Sequence, residues 1–256
     1  MAKQRYSSLK DNQRFPKPKI MFRIIFFFVK LFYRVPKVIY EEELSHDRPI
    51  VYIANHCKAH GPVAFYLLGK KNIRIWCTNE IMYWKTCPKY CYDIFLNGGA
   101  KPKAFRWFYH LVSYIMTPLC IIVFRGAETI PVYYDTRLVT TYNKTAQTIN
   151  EGRDIVIFPE TPPELNDYLN KFNIGFIDTA RFMKKKTGKE VVFVPTYLAP
   201  SIKTLIVGKP IEYDYSKDVK EQRIELVEKL QNEITRLAMK LPQHKVEHYI
   251  TRKKSK

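Results

Sequence analysis

The residues best suited to chemistry in this sequence are the eight that run Asn55-His56-Cys57-Lys58-Ala59-His60-Gly61-Pro62. They follow a short apolar run, Pro49-Ile-Val-Tyr-Ile-Ala54, that reads as a buried strand. A histidine placed where a strand gives way to a helix stands where α/β folds put their ligands. Imidazole titrates at about 6.5 when unperturbed, so His56 can take a proton from an alcohol near neutral pH. His60 comes four residues later, a spacing that would put both rings on one helix face and make His60 a second base or a partner. Lys58, Arg125 and Arg137 are candidates to hold an anionic group of the substrate. Taken singly, a histidine at this point is more often structural, and an isolated cation is more often a surface charge.

The surrounding pattern supplies elements to position these groups. Further strand-like runs are Ile73-Arg-Ile-Trp-Cys77, Ile130-Pro-Val-Tyr133, Asp154-Ile-Val-Ile-Phe158, Val191-Val-Phe-Val194 and Thr204-Leu-Ile-Val207. Helical stretches are expected over 62–68, 138–150 and 172–186, with Gly152 and Gly188 as stops. Val227, Leu230, Ile234, Leu237 and Leu241 recur at steps of three and four, the stripe of an amphipathic helix stopped by Pro242. Strands alternating with helices predict an α/β fold with a mostly parallel sheet flanked by helices. On that arrangement Glu160 ends a strand at the same edge as His56. It would then orient the imidazole, or cap the following turn and bond backbone amides instead.

Four segments, in order, resemble the conserved blocks of the glycerolipid acyltransferases, the lysophosphatidic acid and glycerol-3-phosphate acyltransferases. They are Asn55-His56 with Pro62, Ile130-Pro131-Val132, Phe158-Pro159-Glu160, and Val194-Pro-Thr-Tyr-Leu-Ala-Pro200. The resemblance spans about residues 50 to 200. It implies that His56 is the general base on an acceptor hydroxyl, which then attacks the thioester of acyl coenzyme A or acyl carrier protein. No cofactor beyond that acyl carrier is implied. Asn55 and Pro159, within these blocks, join Lys58, Arg125 and Arg137 as candidates for the substrate-binding surface. Three positions depart from the pattern. Gly61 stands where the family has Asp, Tyr134 where it has Arg, and Thr161-Pro162-Pro163 where it has Gly-Thr-Arg. The resemblance therefore implies either an acyltransferase, or an impaired homologue that binds a lipid surface.

Charge points to the same kind of partner. The chain of 256 residues carries 43 Lys+Arg against 24 Asp+Glu, a net charge of +19. Residues 1–37 hold ten of those cations and one acid, Asp11, and Arg252, Lys253, Lys254 and Lys256 crowd the end. Between them Ile20-Met-Phe-Arg-Ile-Ile-Phe-Phe-Phe-Val-Lys-Leu-Phe-Tyr-Arg34 is apolar but interrupted by Arg23, Lys30 and Arg34. It is too broken to span a bilayer and suited to lie in an anionic interface. The expected organisation is thus a membrane-surface segment over 1–40, an α/β domain over 41–245 and a basic tail over 246–256. A second apolar stretch, Trp107 to Phe124, lacks Asp, Glu, Lys and Arg. Pro118 is expected to split it into a core helix that touches lipid and a short buried strand or helix end.

Other chemistries find little support. An odd count of 5 cysteines and no signal peptide suggest a reducing cytosolic compartment, hence peripheral attachment at the cytoplasmic face of a membrane. No Gly-x-Ser-x-Gly elbow, phosphate loop or dinucleotide fingerprint is present. His56, Cys57 and His60, or Cys87-x-x-x-Cys91, complete no recognised four-ligand spacing, so no metal is expected. A nucleic-acid partner is not expected either, because the cations flank apolar runs rather than aromatic stacking platforms.

Overall fold

The structure, a computed structural model, describes residues 20–69 and 72–248. The basic residues before Ile20 and the cluster at 252–256 lie outside the described residues. The chain runs α1 (Ile20–Phe32), β1 (Lys37–Tyr40), β2 (Ile50–Ala54), α2 (His60–Gly69) and β3 (Ile73–Thr78). Next come α3 (Cys87–Tyr90, continued by a π turn at Cys91–Phe95), α4 (Arg106–Gly126), β4 (Ile130–Val132), α5 (Leu138–Asn150) and β5 (Asp154–Ile157). A two-stranded ribbon, β6 (Glu160–Glu164) and β7 (Asn170–Phe172), precedes α6 (Thr179–Thr187). The chain then forms β8 (Val192–Ala199), β9 (Thr204–Val207), β10 (Ile211–Glu212) and α7 (Val219–Met239).

The main sheet has the order β1-β9-β8-β2-β5-β3-β4, with β10 pairing β8. Strands β8, β2, β5, β3 and β4 are parallel, while β9 and β10 run antiparallel to β8. The α/β expectation therefore holds. Period-two alternation sorts the side chains of the central strands. Val51, Ile53, Ile155, Ile157 and Phe193 join the core beneath α5, α6 and α7. Ile50, Ala54, Val156, Val192 and Val194 join the core on the opposite face, with Ala64 and Phe65 of α2. Strand β8 is buried along its whole length, as a central strand covered on both faces must be.

Three sequence expectations change. The helix foreseen over 172–186 is a strand ending at Phe172, a 3-10 turn at Ile174–Asp178 and a nine-residue α6 stopped by Gly188 at φ +73°. Asn173 accounts for the difference, because its side chain caps the 3-10 turn by accepting from Gly175 N. Helix α7 ends at Met239, and Leu241 packs on the core from just beyond it. The third change is larger. Pro118 does not split the 107–124 stretch, because α4 is one helix of 21 residues running through it. An interior proline costs about 3 kcal/mol. Packing on both sides of it offsets that: His110 stacks on Tyr92 at 3.7 Å, while Cys120 and Ile121 are buried against Ile81, Met82, Cys87 and Cys91.

Helix α4 is also inside out. Ser113, Thr117, Cys120, Ile121 and Gly126 are buried, whereas Trp107, Phe108, Leu111, Tyr114, Ile115 and Leu119 are exposed. The buried hydroxyls bond back to their own helix, Ser113 Oγ to His110 O and Thr117 Oγ1 to Ser113 O. It is the one helix among the described residues long and apolar enough to cross a membrane. Helix α1 behaves alike. Phe22 is its only buried residue, and Ile24, Phe27, Phe28, Leu31 and Phe32 face outward. It is held by Phe22 and Phe26 against Tyr66 of α2, and by Phe22 over the bare backbone of Gly126.

A Cβ at Gly126 would lie 2.4 Å from the Phe22 ring. Gly126→Leu should therefore lift α1 from α4 while leaving the sheet intact. Faster amide exchange confined to Ile20–Phe32 is the expected reading, and unchanged protection there would refute this docking.

Candidate functional site

The site forms at the carboxyl edge of three adjacent strands, β8, β2 and β5. The register of β2 on β5 pairs Val51 with Ile155 and Ile53 with Ile157. Carried three residues past the last pair, Ile53 with Ile157, the same offset sets His56 beside Glu160. The contact is direct: Glu160 Oε2 accepts from the backbone amide of His56 at 2.6 Å, and Oε1 accepts from that of Asn170 at 2.9 Å. The geometry thus gives Glu160 the role of bonding backbone amides, the second of the two roles open to it. The carboxyl is buried, and desolvation pushes its pKa up to about 7 despite the two amides.

Asn55 makes the matching clamp on the other side. Its Oδ1 accepts from Leu198 N at 2.8 Å and its Nδ2 donates to Leu198 O at 2.9 Å and to Cys57 Sγ. This corrects the expectation of a substrate contact, because Asn55 is buried and its amide is consumed in tying β2 to β8. Removing it would take the side-chain partner from Leu198 N, at about 1–3 kcal/mol, and leave Leu198 O with only the weaker Cys57 Sγ donor. Pro159 is likewise buried, its carbonyl accepting from Asn173 N. It sets the exit of β5 rather than offering a surface to a ligand.

Between these clamps the backbone takes an uncommon path. Cys57 and Lys58 both adopt left-handed conformations, φ 45° and 54°. For residues with a Cβ this costs about 1–2 kcal/mol apiece. The turn is held by His60 N donating to Cys57 O and by Cys57 Sγ buried on Leu198 O. It leaves His56 ahead of α2, not on it, so the four-residue spacing does not bring His60 onto a shared face. His60 opens α2 and lies instead by Tyr33, whose hydroxyl donates to the His60 carbonyl. Tyr33 follows α1, so the end of that helix abuts the turn bearing His56.

The His56 ring leans on Phe158, centroids 5.1 Å apart. Desolvation lowers its pKa to about 4, against opposing help from the backbone of Lys58 and of His56 itself. The imidazole is therefore unprotonated at neutral pH, able to accept a proton but a weak base compared with one tuned near 7. Gly61 lies against the His56 carbonyl and the Phe158 ring. A Cβ there would meet His56 O at 2.4 Å and the Phe158 ring at 2.9 Å. The turn itself thus fills the volume that a side chain at position 61 would need.

Two of the three expected cations are bonded to other groups. Lys58 is exposed on the turn. Arg125 donates to Met82 O and sits over the Tyr83 ring; Arg137 forks onto Asp135 and sits over the Tyr133 ring. The two tyrosines join hydroxyl to hydroxyl at 2.6 Å, so the arginines flank one aromatic pair. Sequence reasoning missed Tyr33, Tyr83 and Tyr133 entirely, and no local spacing singles them out. Two surface cavities, about 360 and 480 Å3, open along α7, and neither is lined by His56.

No protein-family model matches the sequence, and comparison with curated proteins finds no match. Among solved structures, one of similar fold is the 1-acyl-sn-glycerophosphate (LPA) acyltransferase PlsC from Thermotoga maritima. The match has a TM-score of 0.46 and 14% identity, covering 87% of this chain and 78% of that one. So loose a likeness says nothing of the chemistry at His56.

Supplying the acid that the family pattern has at position 61 should harm this protein. Gly61→Asp is expected to lower unfolding free energy by about 1–3 kcal/mol through overpacking, read by urea denaturation. A variant as stable as the parent would show that the turn is not closed on that position.

Proposed function

We propose that this protein transfers a fatty acyl group from an acyl thioester to a hydroxyl of a lysophospholipid or glycerol-phosphate-like acceptor at the cytoplasmic face of a membrane. The observation that carries the reading is the meeting of Asn55-His56 and Phe158-Pro159-Glu160 at the ends of two adjacent parallel strands, with the imidazole unprotonated at neutral pH. His56 takes the acceptor's hydroxyl proton as that oxygen attacks the thioester carbonyl. A C–O ester bond forms, the C–S bond breaks, and the thiol leaves with the proton returned by the imidazolium. Glu160 and Asn55 are positioning residues, setting the backbone on which the ring is mounted. Arg125, Arg137 and Lys58 are the cations for the phosphate of the acceptor or of coenzyme A.

Attachment to a membrane is supported by the outward apolar faces of α1 and α4, which pack on one another. Exposed Arg23, Lys30 and Arg34 lie on or next to α1, placed to reach anionic headgroups at about 1 kcal/mol each. The Tyr33 contact then brings that surface up to the His56 turn. A lipid acceptor would need to travel only from the interface to the edge of the sheet.

One observation favours a second reading, a lipid-surface binding homologue without turnover. Nothing at position 61 can orient the imidazole, and a ring titrating near 4 is a poor base. Incubation with labelled acyl coenzyme A or acyl carrier protein and a lysolipid panel separates the two. Product that falls at least about a hundredfold in His56→Ala establishes the enzyme; no product with any donor and acceptor leaves the binding homologue. Flotation with anionic vesicles should carry the protein upward, and less so after Phe27→Glu and Ile115→Glu. A chain that stays with the soluble fraction would exclude the membrane in both readings.

A further inference from the structure

Away from His56, three cysteines converge. Cys87 and Cys91 stand one turn apart on α3 and its π continuation, and Cys120 reaches them from α4, 29 residues beyond Cys91. The sulfurs of Cys87 and Cys91 are 3.7 Å apart, as are those of Cys91 and Cys120, and all three lie within 4.8 Å of one another. All three are buried, among Ile81, Met82, Ile121 and Met116. The cysteines are free thiols. The chemistry proposed at His56 makes no use of them.

We propose that Cys87, Cys91 and Cys120 bind a thiophilic d10 metal ion, Zn2+ or Cu+, that clamps α3 to α4. The spacing is the argument. Metal–sulfur bonds of about 2.3 Å at angles between tetrahedral and trigonal hold sulfurs about 3.8–4.0 Å apart. Two of the three pairs already stand within about 0.3 Å of that spacing before any ion draws them in. Sulfur-only donors in an apolar, water-poor setting select soft ions over Mg2+, Ca2+ or Mn2+. Coordination replaces each S–H bond by an S–metal bond and hands the proton to solvent. The ion would supply the positive charge that stabilises the three thiolates in this apolar setting. It would also fasten α4, whose apolar outer face has no protein to hold it, to the body through its inner face.

The test uses the full reduced chain, exposed separately to Zn2+ and to Cu+ under anaerobic conditions and then desalted. One equivalent of either ion should be retained, with a sulfur-only first shell near 2.3 Å by X-ray absorption and a higher thermal midpoint. Cys91→Ala and Cys120→Ala should each lower the retained metal at least tenfold, while Cys57→Ala retains it. The absorption measurement on the unaltered chain stands even if a variant fails to fold. No retained ion, a nitrogen or oxygen shell, or retention undiminished in both cluster variants overturns the proposal. So does a disulfide among the three that, once reduced, still yields no binding.

Discussion

One buried carboxylate organises the edge of this sheet. Glu160 accepts the amides of His56 and Asn170 and so ties the turn after β2 to the start of β7. Asn55 repeats the device toward β8. Each side chain bonds two backbone groups of the interior, where an unpaired group costs about 1–3 kcal/mol. The position of the imidazole follows from these two clamps and from the left-handed turn between them. Its protonation state follows from the same enclosure, since the walls that fix the ring also desolvate it.

The outer part of the molecule obeys the opposite rule. A helix normally buries its apolar stripe, yet α1 and α4 turn theirs outward and α4 buries hydroxyls and a thiol. The inner face of α4 carries small residues that allow close approach, such as Gly126 beneath Phe22 and Cys120 against the cysteines of α3. Exposed apolar surface of this extent marks an interaction site on a folded protein, and exposed cations lie beside it on α1. Tyr33 links the two regimes, standing just past α1 and bonding the first residue of α2.

Much of the fold was legible because it rests on local pattern. The buried strands announce themselves as runs such as Ile50–Ala54 and Asp154–Ile157, and parallel packing requires that type of run. Glu160 could be placed beside His56 from that layout alone, since parallel register carries the two strands to a common edge. The rest depended on tertiary facts. Reading His60 as sharing a face with His56 assumed a helix where the chain makes a left-handed turn, and no glycine marks that turn. Pro118 looked like a break because local propensity ignores the packing on either side of it. The thiol cluster was hidden since Cys120 is distant in sequence, and the Cys87–Cys91 spacing alone offers two ligands.

The closed turn over Gly61 bears on the history open to this chain. The carbonyl of His56 and the ring of Phe158 occupy the room a carboxylate would take, and two strained residues keep the carbonyl there. An acid at that position would have to displace both groups. Cys57 and Lys58 would first have to relax, and until they did every intermediate sequence would carry the steric conflict with no catalytic return. Whatever chemistry the protein performs is therefore assembled from groups other than a side chain at position 61.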